Sequence, residues 1–425
     1  MDLYEELEWR EMIYDGTEGL RDALASSSLT GYIGFDPTAS SLHVGSLLTV
    51  LGLARLQRAG HAPIAVVGGG TGMIGDPSGK SQERVLLSSE QIEINVAGIR
   101  EQLARLLDFD AARNPARIVN NADWLGGIDV LSFLRDVGKH FTVSSMLQKE
   151  SVNRRLETEE GISYTEFSYL VLQAYDFLQL FDRTGCTLQM GGSDQWGNIT
   201  AGIDLIRKLR ARKAHGLVWP LMQTASGVKF GKTEAGAVWL DPERTKPFRF
   251  YQFWLNTDDR DVVRYLKCFT FLPRDTIDGL ARATAEKPEA REAQRTLARE
   301  VTALVHGQEQ VHRAERAAEV LFSDRVGEAS IEDVLTVFED APSTELALPE
   351  EGISITELLT TVGLTASKSE ATRLVKTNGI SVNNVRATDE RKRLTRADAI
   401  RGQLFILRKG RKDHHIVKLR PGAPA

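Results

Sequence analysis

Short apolar runs alternate with helical patterns through the first half of the chain. The runs "TGYIGFD" (30–36) and "PIAVVGG" (63–69) are each followed by a helical pattern, at about 43–59 and 90–107. Strands that alternate with helices on this spacing are typical of a parallel sheet with crossover helices. The sequence therefore predicts an α/β fold, with "LVWPLMQ" (217–223) as a further strand.

The length of the chain predicts several domains, because 425 residues exceed what one compact core holds. Helical patterns from about 247 to 322 predict a smaller all-helical domain, and "EDAPSTELALPEEG" (339–352) is interpreted as linker. Two helices and two strands are predicted beyond it, at 354–361, 367–377, 402–410 and 414–419. The predicted bounds are 1–245, 246–325, a linker over 326–351, and 352–418.

Charge is distributed unevenly between the body of the chain and its end. Residues 352–425 contain 15 lysines and arginines against 6 aspartates and glutamates, a net charge of +9. The rest of the chain contains 38 lysines and arginines against 52 aspartates and glutamates, a net charge of −14. A basic module on an acidic body fits a polyanionic partner and fits a solvated basic surface equally well.

Composition excludes several classes of protein. No stretch of about 18 uncharged apolar residues is present, and no basic N-terminal region precedes an apolar run, so we expect a cytoplasmic protein without a membrane partner. Cys186 and Cys268 lie far apart without metal-ligand spacing. They are predicted to be packing residues, with no disulfide and no zinc site.

The glycine-rich stretch "GGGTGMIGDPSGK" (68–80) raises a dinucleotide-binding alternative. Gly70, Gly72 and Gly75 fit the spacing G-x-G-x-x-G after a strand. A dinucleotide loop must open directly into a helix, however, and Pro77 and Gly79 stand where that helix should begin. The acidic residue expected on the next strand is also missing. An NAD-dependent oxidoreductase is therefore the weaker hypothesis.

The stretch "GFDPTASSLHVGS" (34–46) places a strand end and a turn before a long helix. A helix start offers free amides and a positive dipole end to an anion. Thr38 and His43 add side-chain donors there, and Gly45 lets a flat base approach the backbone. A capping histidine and a tightly packed glycine would explain the same residues.

A polar stripe lies on the apolar helix predicted for 163–181. Tyr169, Gln173 and Asp176 are spaced i, i+4 and i+7, so they share one face. Buried polar groups need partners. Internal hydrogen bonds and a small amphiphilic ligand both satisfy this requirement.

Two later stretches combine glycines with polar residues. In "QMGGSDQWGNI" (189–199), Gly191 and Gly192 permit close approach of a ligand, and an acid such as Asp194 suits a ribose diol, although a self-bonded turn is the alternative. In "SGVKFGKTEAGAVWL" (226–240), Lys229 and Lys232 either close on a polyphosphate or are simply solvated.

Five segments in this order, "YIGFDPTASSLHVGS", "GDPSGK", "FSYLVLQAYDF", "GGSDQWGNI" and "KFGKT", resemble the bacterial tyrosyl-tRNA synthetases, which are class I aminoacyl-tRNA synthetases. The resemblance covers essentially the whole chain. It implies a Rossmann-like parallel-sheet catalytic domain with a helical insertion, then an all-helical anticodon-recognition domain and a small α+β S4-like RNA-binding domain. A non-catalytic RNA-binding protein is the remaining alternative, and the intact front segments argue against it.

The resemblance also implies roles at the ATP site. "PTASSLHVGS" (37–46) matches the HIGH motif, with Ser46 in place of its last histidine and left outside the catalytic set, and "KFGKT" stands in for the KMSKS loop. The residues implied to be catalytic are Thr38, His43, Lys80, Arg84, Lys229 and Lys232. The residues implied to bind ATP are Gly34, Asp36, Thr38, His43, Gly45, Gly192, Asp194, Lys232 and Thr233.

For the amino acid, the resemblance implies that Tyr32 and Asp176 bind the phenolic hydroxyl. It implies that the ammonium is bound by Asp76, Tyr169 and Gln173, and that the carboxylate is oriented by Gln195. The implied reaction needs no general base, because an ionised carboxylate attacks the α-phosphorus of ATP. L-tyrosine, ATP with Mg²⁺ and tRNA(Tyr) are the implied substrates and partners of a homodimer.

Binding of tRNA through the +9 module is expected to weaken steeply as salt rises, because neutralised phosphates release counterions. The measurement is tRNA affinity across a series of salt concentrations. An affinity independent of salt would show that the module is not a major contact.

Overall fold

The computed structural model describes residues 2–78, 87–159, 161–227, 230–233, 236–322, 326, 330–339, 341–410 and 413–420. The chain divides into two compact units, Met1–Val305 and His306–Ala425. The boundary between them lies inside the predicted helical segment 246–325.

The first unit contains a six-stranded sheet, a short hairpin and most of the helices. Its strands are β1 (Asp15–Gly16), β2 (Thr30–Phe35), β3 (Ala62–Val67), β4 (Arg117–Asn120), β5 (Cys186–Gly192), β6 (His215–Trp219), β7 (Lys232–Thr233) and β8 (Gly236–Ala237). Its helices are α1 (Leu3–Trp9), α2 (Leu20–Ser26), α3 (Val44–Arg58), α4 (Ser89–Leu106), α5 (Ala122–Leu125), α6 (Val130–Ser132), α7 (Val143–Leu147), α8 (Glu150–Leu156), α9 (Tyr164–Thr184), α10 (Trp196–Arg210), α11 (Pro247–Leu255), α12 (Asp259–Phe269), α13 (Arg274–Glu286) and α14 (Glu292–His306).

The strand order of the main sheet is β1-β6-β5-β2-β3-β4. All neighbours are parallel except β1, which pairs antiparallel with β6. The chain runs outward from β2 to β4 on one side and from β5 to β6 on the other, so the strand order reverses between β2 and β5. In open parallel sheets, ligands bind at the carboxyl ends of the strands at such a point.

Helix α3 packs closely on the sheet. Its apolar side chains are almost fully buried, and Gly52 faces the indole of Trp219 so closely that a Cβ would collide with the ring. The far end of the helix is held by Arg55, whose guanidinium donates to the carbonyls of Cys268 and Thr270 at 2.9 and 2.8 Å. These carbonyls lie at the end of α12, where backbone acceptors lack helical partners. The middle and the far end of α3 are therefore fixed.

The second unit is a small α+β structure with its own apolar core. Its helices are α15 (Gln308–Phe322), α16 (Ile331–Val337), α17 (Ile355–Thr361) and α18 (Lys368–Lys376). Its strands are β9 (Ser343–Leu346), β10 (Ile353–Ser354), β11 (Ile380–Val382), β12 (Val385–Arg386), β13 (Arg393–Leu394), β14 (Leu404–Lys409) and β15 (Asp413–Leu419). Five of the strands form a sheet in the order β12-β11-β14-β15-β9.

The structure confirms the parallel sheet and the strands and helices predicted around it, with two differences. The strand predicted at 217–223 ends at Trp219, because Pro220 has no amide hydrogen to continue the ladder. The predicted linker contains α16 and β9, and β9 pairs in parallel with β15. Strand β9 has only four residues, which are too few to show a periodic pattern in the sequence.

Both cysteines are buried and free, as predicted. Within the described ranges, no helix is both long and apolar enough to cross a membrane.

Candidate active site

A cavity of about 590 Å³ opens in the first unit where β2 and β5 end. Residues of α3 and α9 close its other sides. Every predicted site residue whose structure is described in full lines this cavity: Tyr32, Gly34, Asp36, Thr38, His43, Gly45, Asp76, Tyr169, Gln173, Asp176, Gly192, Asp194 and Gln195. Sequence segments more than 150 positions apart therefore form one site.

The structure describes five of the predicted site residues only in part or not at all. Lys80, Arg84 and Lys229 lie outside the described residues. Lys232 and Thr233 form β7, and their backbone alone is described. Ser46, which replaces the last histidine of the motif, lines the cavity.

At one end of the cavity lies the buried carboxyl group of Asp176. It accepts hydrogen bonds from Asn121 Nδ2 at 2.9 Å and from Trp124 Nε1 at 2.7 Å. Burial raises its pKa from 3.8 to about 7, and these two donors oppose the shift. An acceptor held by neutral donors alone remains able to bind a further hydroxyl group.

Tyr32 faces this end from β2. Its ring meets Phe177 edge-on with centroids 5.3 Å apart, and its buried hydroxyl has no hydrogen-bond partner among the described residues. Burial, reinforced by Asp176, raises the pKa of the Tyr32 phenol well above 10. The hydroxyl is therefore protonated at neutral pH. A buried donor without a partner costs about 1–3 kcal/mol, which a ligand oxygen would recover.

The middle of the cavity holds a chain of amides that ends on Asp76. Gln195 Nε2 donates to Asp76 Oδ2 at 2.7 Å, and the amide N–H of Ser78 donates to Oδ1 at 2.9 Å. Gln173 Nε2 donates to Gln195 Oε1 at 3.2 Å, and Asn198 Nδ2 donates to Gln173 Oε1 at 2.9 Å. The chain presents a carboxylate and several amides to a polar ligand.

Asp36 joins the two ends of the cavity. Its two oxygens accept from Thr71 Oγ1 at 2.8 Å and from Tyr169 Oη at 2.9 Å. Asn121 Nδ2 donates to Thr71 Oγ1 at 2.9 Å as well as to Asp176. Burial, followed by Asp36, raises the pKa of Tyr169 well above 10. The predicted ammonium-binding hydroxyl of Tyr169 is thus a donor in this network.

At the other end of the cavity lies the start of α3. His43 is its N-cap, and its Nδ1 accepts from the amide of Gly45 at 3.0 Å. In the neutral ring, Nε2 then carries the proton and is a donor. A Cβ at Gly34 would meet no atom within 4 Å, so the cavity is open beside that strand. The amides of Val44, Gly45 and Ser46 already donate to the Val238 carbonyl, His43 Nδ1 and the His43 carbonyl. The helix dipole and the imidazole N–H are therefore the features that suit this end to an anion.

The glycine-rich loop does not provide a dinucleotide site. The amide of Gly69 donates to Asn120 Oδ1 at 3.1 Å, and that of Gly70 donates to Asn121 Oδ1 at 2.8 Å. Within residues 68–78, the described part of the loop, the strand is followed by a single 3₁₀ turn, Thr71–Met73. The amides that would hold a pyrophosphate instead bind the side chains of Asn120 and Asn121, and the Gly70 amide orients Asn121 so that its Nδ2 faces Asp176.

Several site residues were missed in the sequence, namely Thr71, Ser78, Asn121, Trp124, Arg154, Gln189 and Asn198. The sequence contained one signal for Asn121. This residue directly follows the short stretch that forms β4, so it lies at the carboxyl edge of the sheet, where ligands bind. Gln189 pairs with Tyr32 across β5 and β2, and its Oε1 is buried without a partner in the described structure. Among the described residues, no group of three or more His, Cys, Asp or Glu side chains is placed to hold a metal ion.

Comparisons with known proteins cover the whole chain. A family model described as "tRNA synthetases class I (W and Y)" matches residues 25–323, and one described as "Tyrosine–tRNA ligase SYY-like C-terminal domain" matches 333–417. A tyrosine–tRNA ligase of Roseiflexus castenholzii is 54% identical over 98% of this chain and 99% of its own length. One of Geobacillus stearothermophilus is 51% identical over 98% of this chain and 100% of its own length. A C-terminally truncated mitochondrial tyrosyl-tRNA synthetase of Aspergillus nidulans superimposes with a TM-score of 0.69 and 31% identity, over 76% of this chain and 94% of that one.

The raised pKa of Asp176 predicts a pH-dependent stability. The folded chain holds this proton up to a pKa of about 7, whereas the unfolded chain releases it near 3.9. The contribution of the group is complete below pH 4 and is lost as the pH rises through 7. The free energy of unfolding of the wild type relative to Asp176→Asn should therefore fall by up to about 4 kcal/mol over this range and stay constant above it.

The measurement is chemical denaturation of the ligand-free protein at a series of pH values. Asp123→Asn, which removes an exposed carboxylate from the same region, is the matched control. A difference that is independent of pH, or that grows with pH, would contradict the prediction.

Proposed function

Because the chain belongs to the tyrosine–tRNA ligases, a class I aminoacyl-tRNA synthetase family, we propose that the cavity between β2 and β5 is where L-tyrosine reacts with ATP. The enzyme joins tyrosine to ATP to give tyrosyl-adenylate and pyrophosphate, and then transfers the tyrosyl group to the 3′ end of tRNA(Tyr). The observation that carries the proposal is that one cavity is lined by Tyr32 and Asp176 at one end, by Asp76 in the middle and by the start of α3 at the other end.

The deep end of the cavity recognises the phenolic hydroxyl. Tyr32 Oη donates to the substrate oxygen, and the substrate O–H donates to Asp176, whose own donors hold it in place. Phenylalanine would leave both groups buried without this partner. Such a site rejects the analogue that lacks the hydroxyl without a separate editing step.

The centre of the cavity binds the backbone of the amino acid. The substrate ammonium is neutralised by Asp76, with Tyr169 and Gln173 as further oxygen partners, and Gln195 orients the carboxylate. Asp76 and Gln195 already lie 2.7 Å apart between Oδ2 and Nε2, so the two substrate groups would bind side by side. Asp76 is buried at 8% exposure, which strengthens its attraction for a cation.

ATP lies along the ends of β2 and β5 towards α3. Asp194 and Gly192 bind the ribose, and Gly34, Asp36 and Gly45 line the path of the nucleotide. Thr38 and His43 bind the terminal phosphates, as do Lys80, Arg84, Lys229, Lys232 and Thr233 on the family pattern. Mg²⁺ enters as part of the MgATP substrate, and its oxygen ligands are mainly the phosphates.

The first step is an in-line displacement at phosphorus. A carboxylate oxygen of tyrosine forms a bond to the α-phosphorus while the bond to the bridging oxygen of the β-phosphate breaks, and pyrophosphate leaves with that electron pair. The nucleophile is already ionised, so the protein contributes position and charge stabilisation. The donors at the start of α3 act most strongly as negative charge moves to the leaving group.

In the second step, a hydroxyl of the terminal ribose of tRNA attacks the acyl carbon, and AMP departs. The basic S4-like end of the chain is proposed to bind the same tRNA. Its net charge of +9 in residues 352–425 supplies the attraction for the phosphate backbone. The enzyme is proposed to act in the cytoplasm.

The chain is also proposed to form a homodimer through the insertion between β4 and β5. Large apolar side chains are exposed there: Val130, Leu131, Val143 and Tyr164 are between 62% and 74% exposed. Exposed apolar side chains concentrated on one segment mark an interaction surface.

In sedimentation equilibrium the wild type should have the mass of a dimer, and the Leu131→Glu variant should have the mass of a monomer, because a buried charge would destabilise the interface. Val385→Glu, at an exposed valine of the second unit, is the control, and a monomeric wild type would contradict the proposal.

Tyrosine-dependent exchange of pyrophosphate into ATP tests the proposed site. Exchange should require tyrosine and occur without tRNA, because adenylation is the first step. Tyr32→Phe should reduce the discrimination of tyrosine over phenylalanine by roughly tenfold, since a neutral hydrogen bond is lost. Above pH 7, where Asp176 is mainly ionised because its pKa is about 7, Asp176→Asn should reduce it on the order of a hundredfold, since the lost partner is charged.

Tyr175→Phe is the matched control. It removes a hydroxyl group from the residue directly before Asp176 on α9, and the ring of Tyr175 packs against Phe133. It should keep the wild-type ratio of kcat/KM for the two amino acids. If the Tyr32 and Asp176 variants also keep that ratio, neither residue binds the phenol.

A further inference from the structure

Helix α4 places a stripe of polar and small residues beneath the segment that leads into α3. Asn95, Gly98 and Gln102 are spaced by three and four positions and so share one face of the helix. Asn95 is 2% exposed and Gln102 is 9% exposed. The rest of the buried face of α4 is apolar, so these buried amides need hydrogen-bond partners.

Gln102 holds the segment immediately before His43. Its Oε1 accepts from the amide of Leu42 at 2.8 Å, and its Nε2 donates to Ser41 Oγ at 2.9 Å. Ser41 Oγ in turn donates to the carbonyl of Leu42 at 2.7 Å. One side chain of α4 thus fixes the backbone of two successive residues beside the N-cap of α3.

Asn95 holds the other end of the same segment. Its Nδ2 donates to the carbonyl of Pro37 at 2.8 Å, next to Thr38, while its Oδ1 accepts from Gln91 Nε2 at 3.0 Å. Between the two amides, Gly98 lies so close to the carbonyl oxygen of Ser40 that a Cβ would collide with it. The helix therefore touches the segment at three successive points.

Residues 36–42 lie outside any helix or strand. Hence no regular ladder defines their shape. The segment carries Thr38 and ends at His43, the two described donors proposed for the ATP phosphates. Its end is also held from residues 238–241, through an antiparallel bridge between His43 and Trp239 and a hydrogen bond from the Leu240 amide to the Leu42 carbonyl at 2.9 Å. The side-chain amides of α4 hold the segment at both its start and its end.

We propose that Asn95 and Gln102 are positioning residues for adenylation, which hold Thr38 and His43 in place for the ATP phosphates without touching substrate. The inference rests on the proposed function. Catalysis by position and charge is sensitive to small displacements, and an error of about 1 Å costs up to a hundredfold in rate. Loss of either amide should therefore affect the ATP step and spare tyrosine binding.

Two near-isosteric variants test the proposal in the full-length enzyme. Gln102→Met removes both contacts with residues 41 and 42, and Asn95→Asp replaces the donor that faces the Pro37 carbonyl with an acceptor. The measurement is tyrosine-dependent exchange of pyrophosphate into ATP. Each rate is divided by the concentration of active sites, which is determined from the burst of adenylate formation. We expect kcat/KM for ATP to fall on the order of tenfold and KM for tyrosine to change less than about twofold.

Glu101→Met is the matched control, because Glu101 is the exposed neighbour of Gln102 on α4. It should have wild-type constants for both substrates. A merely structural role of the amides would lower the number of active sites and the melting temperature but leave the constants per active site unchanged. That result in both variants overturns the proposal, as does an equal rise of KM for tyrosine and ATP.

His43→Asn separates this inference from the proposed function. If His43→Asn leaves ATP kinetics unchanged, the assigned phosphate site itself fails. If His43→Asn impairs the ATP step, the double variant with Gln102→Met decides whether the two residues act together. Losses smaller than the sum of the single losses support positioning through His43, and additive losses overturn it.

Discussion

The buried carboxyl group of Asp176 is the constraint around which the site is built. It has two neutral donors, Asn121 and Trp124, and burial raises its pKa to about 7. Holding it requires α9, the carboxyl end of β4 and α5 to meet at one point. The glycine loop contributes as well, because the amide of Gly70 orients Asn121. These elements carry the free-energy cost of a buried acid, which the proposed hydroxyl-bearing ligand would supply with a further partner.

The same network connects the proposed phenol end of the cavity with the proposed nucleotide end. Asn121 donates hydrogen bonds to Asp176 and to Thr71. Thr71 donates a hydrogen bond to Asp36, which also accepts one from Tyr169. Beyond Asp36 the chain enters the segment that α4 supports and then reaches His43. On the proposed assignment, side-chain hydrogen bonds therefore link the parts of the cavity that bind the two substrates. This arrangement suits a reaction in which position supplies most of the catalysis.

The sequence predicted those parts of the site that depend on local spacing. Tyr169, Gln173 and Asp176 follow from helical periodicity, and His43 follows from its place at a helix start. Asn121, Trp124 and Gln102 were missed because their partners lie more than 50 positions away, so no short window contains both halves of the interaction. The strand β9 was missed because its four residues are too few for a periodic pattern, and because its partner β15 lies even further away in sequence.

A crystal structure of the protein with a non-hydrolysable tyrosyl-adenylate analogue tests the central claim most directly. We predict that the phenolic oxygen lies within hydrogen-bond distance of Tyr32 Oη and the Asp176 carboxylate, with the ammonium beside Asp76 and the phosphate facing the start of α3. A ligand whose ring lies outside this cavity, or whose ammonium rather than its phenol contacts Asp176, would contradict it.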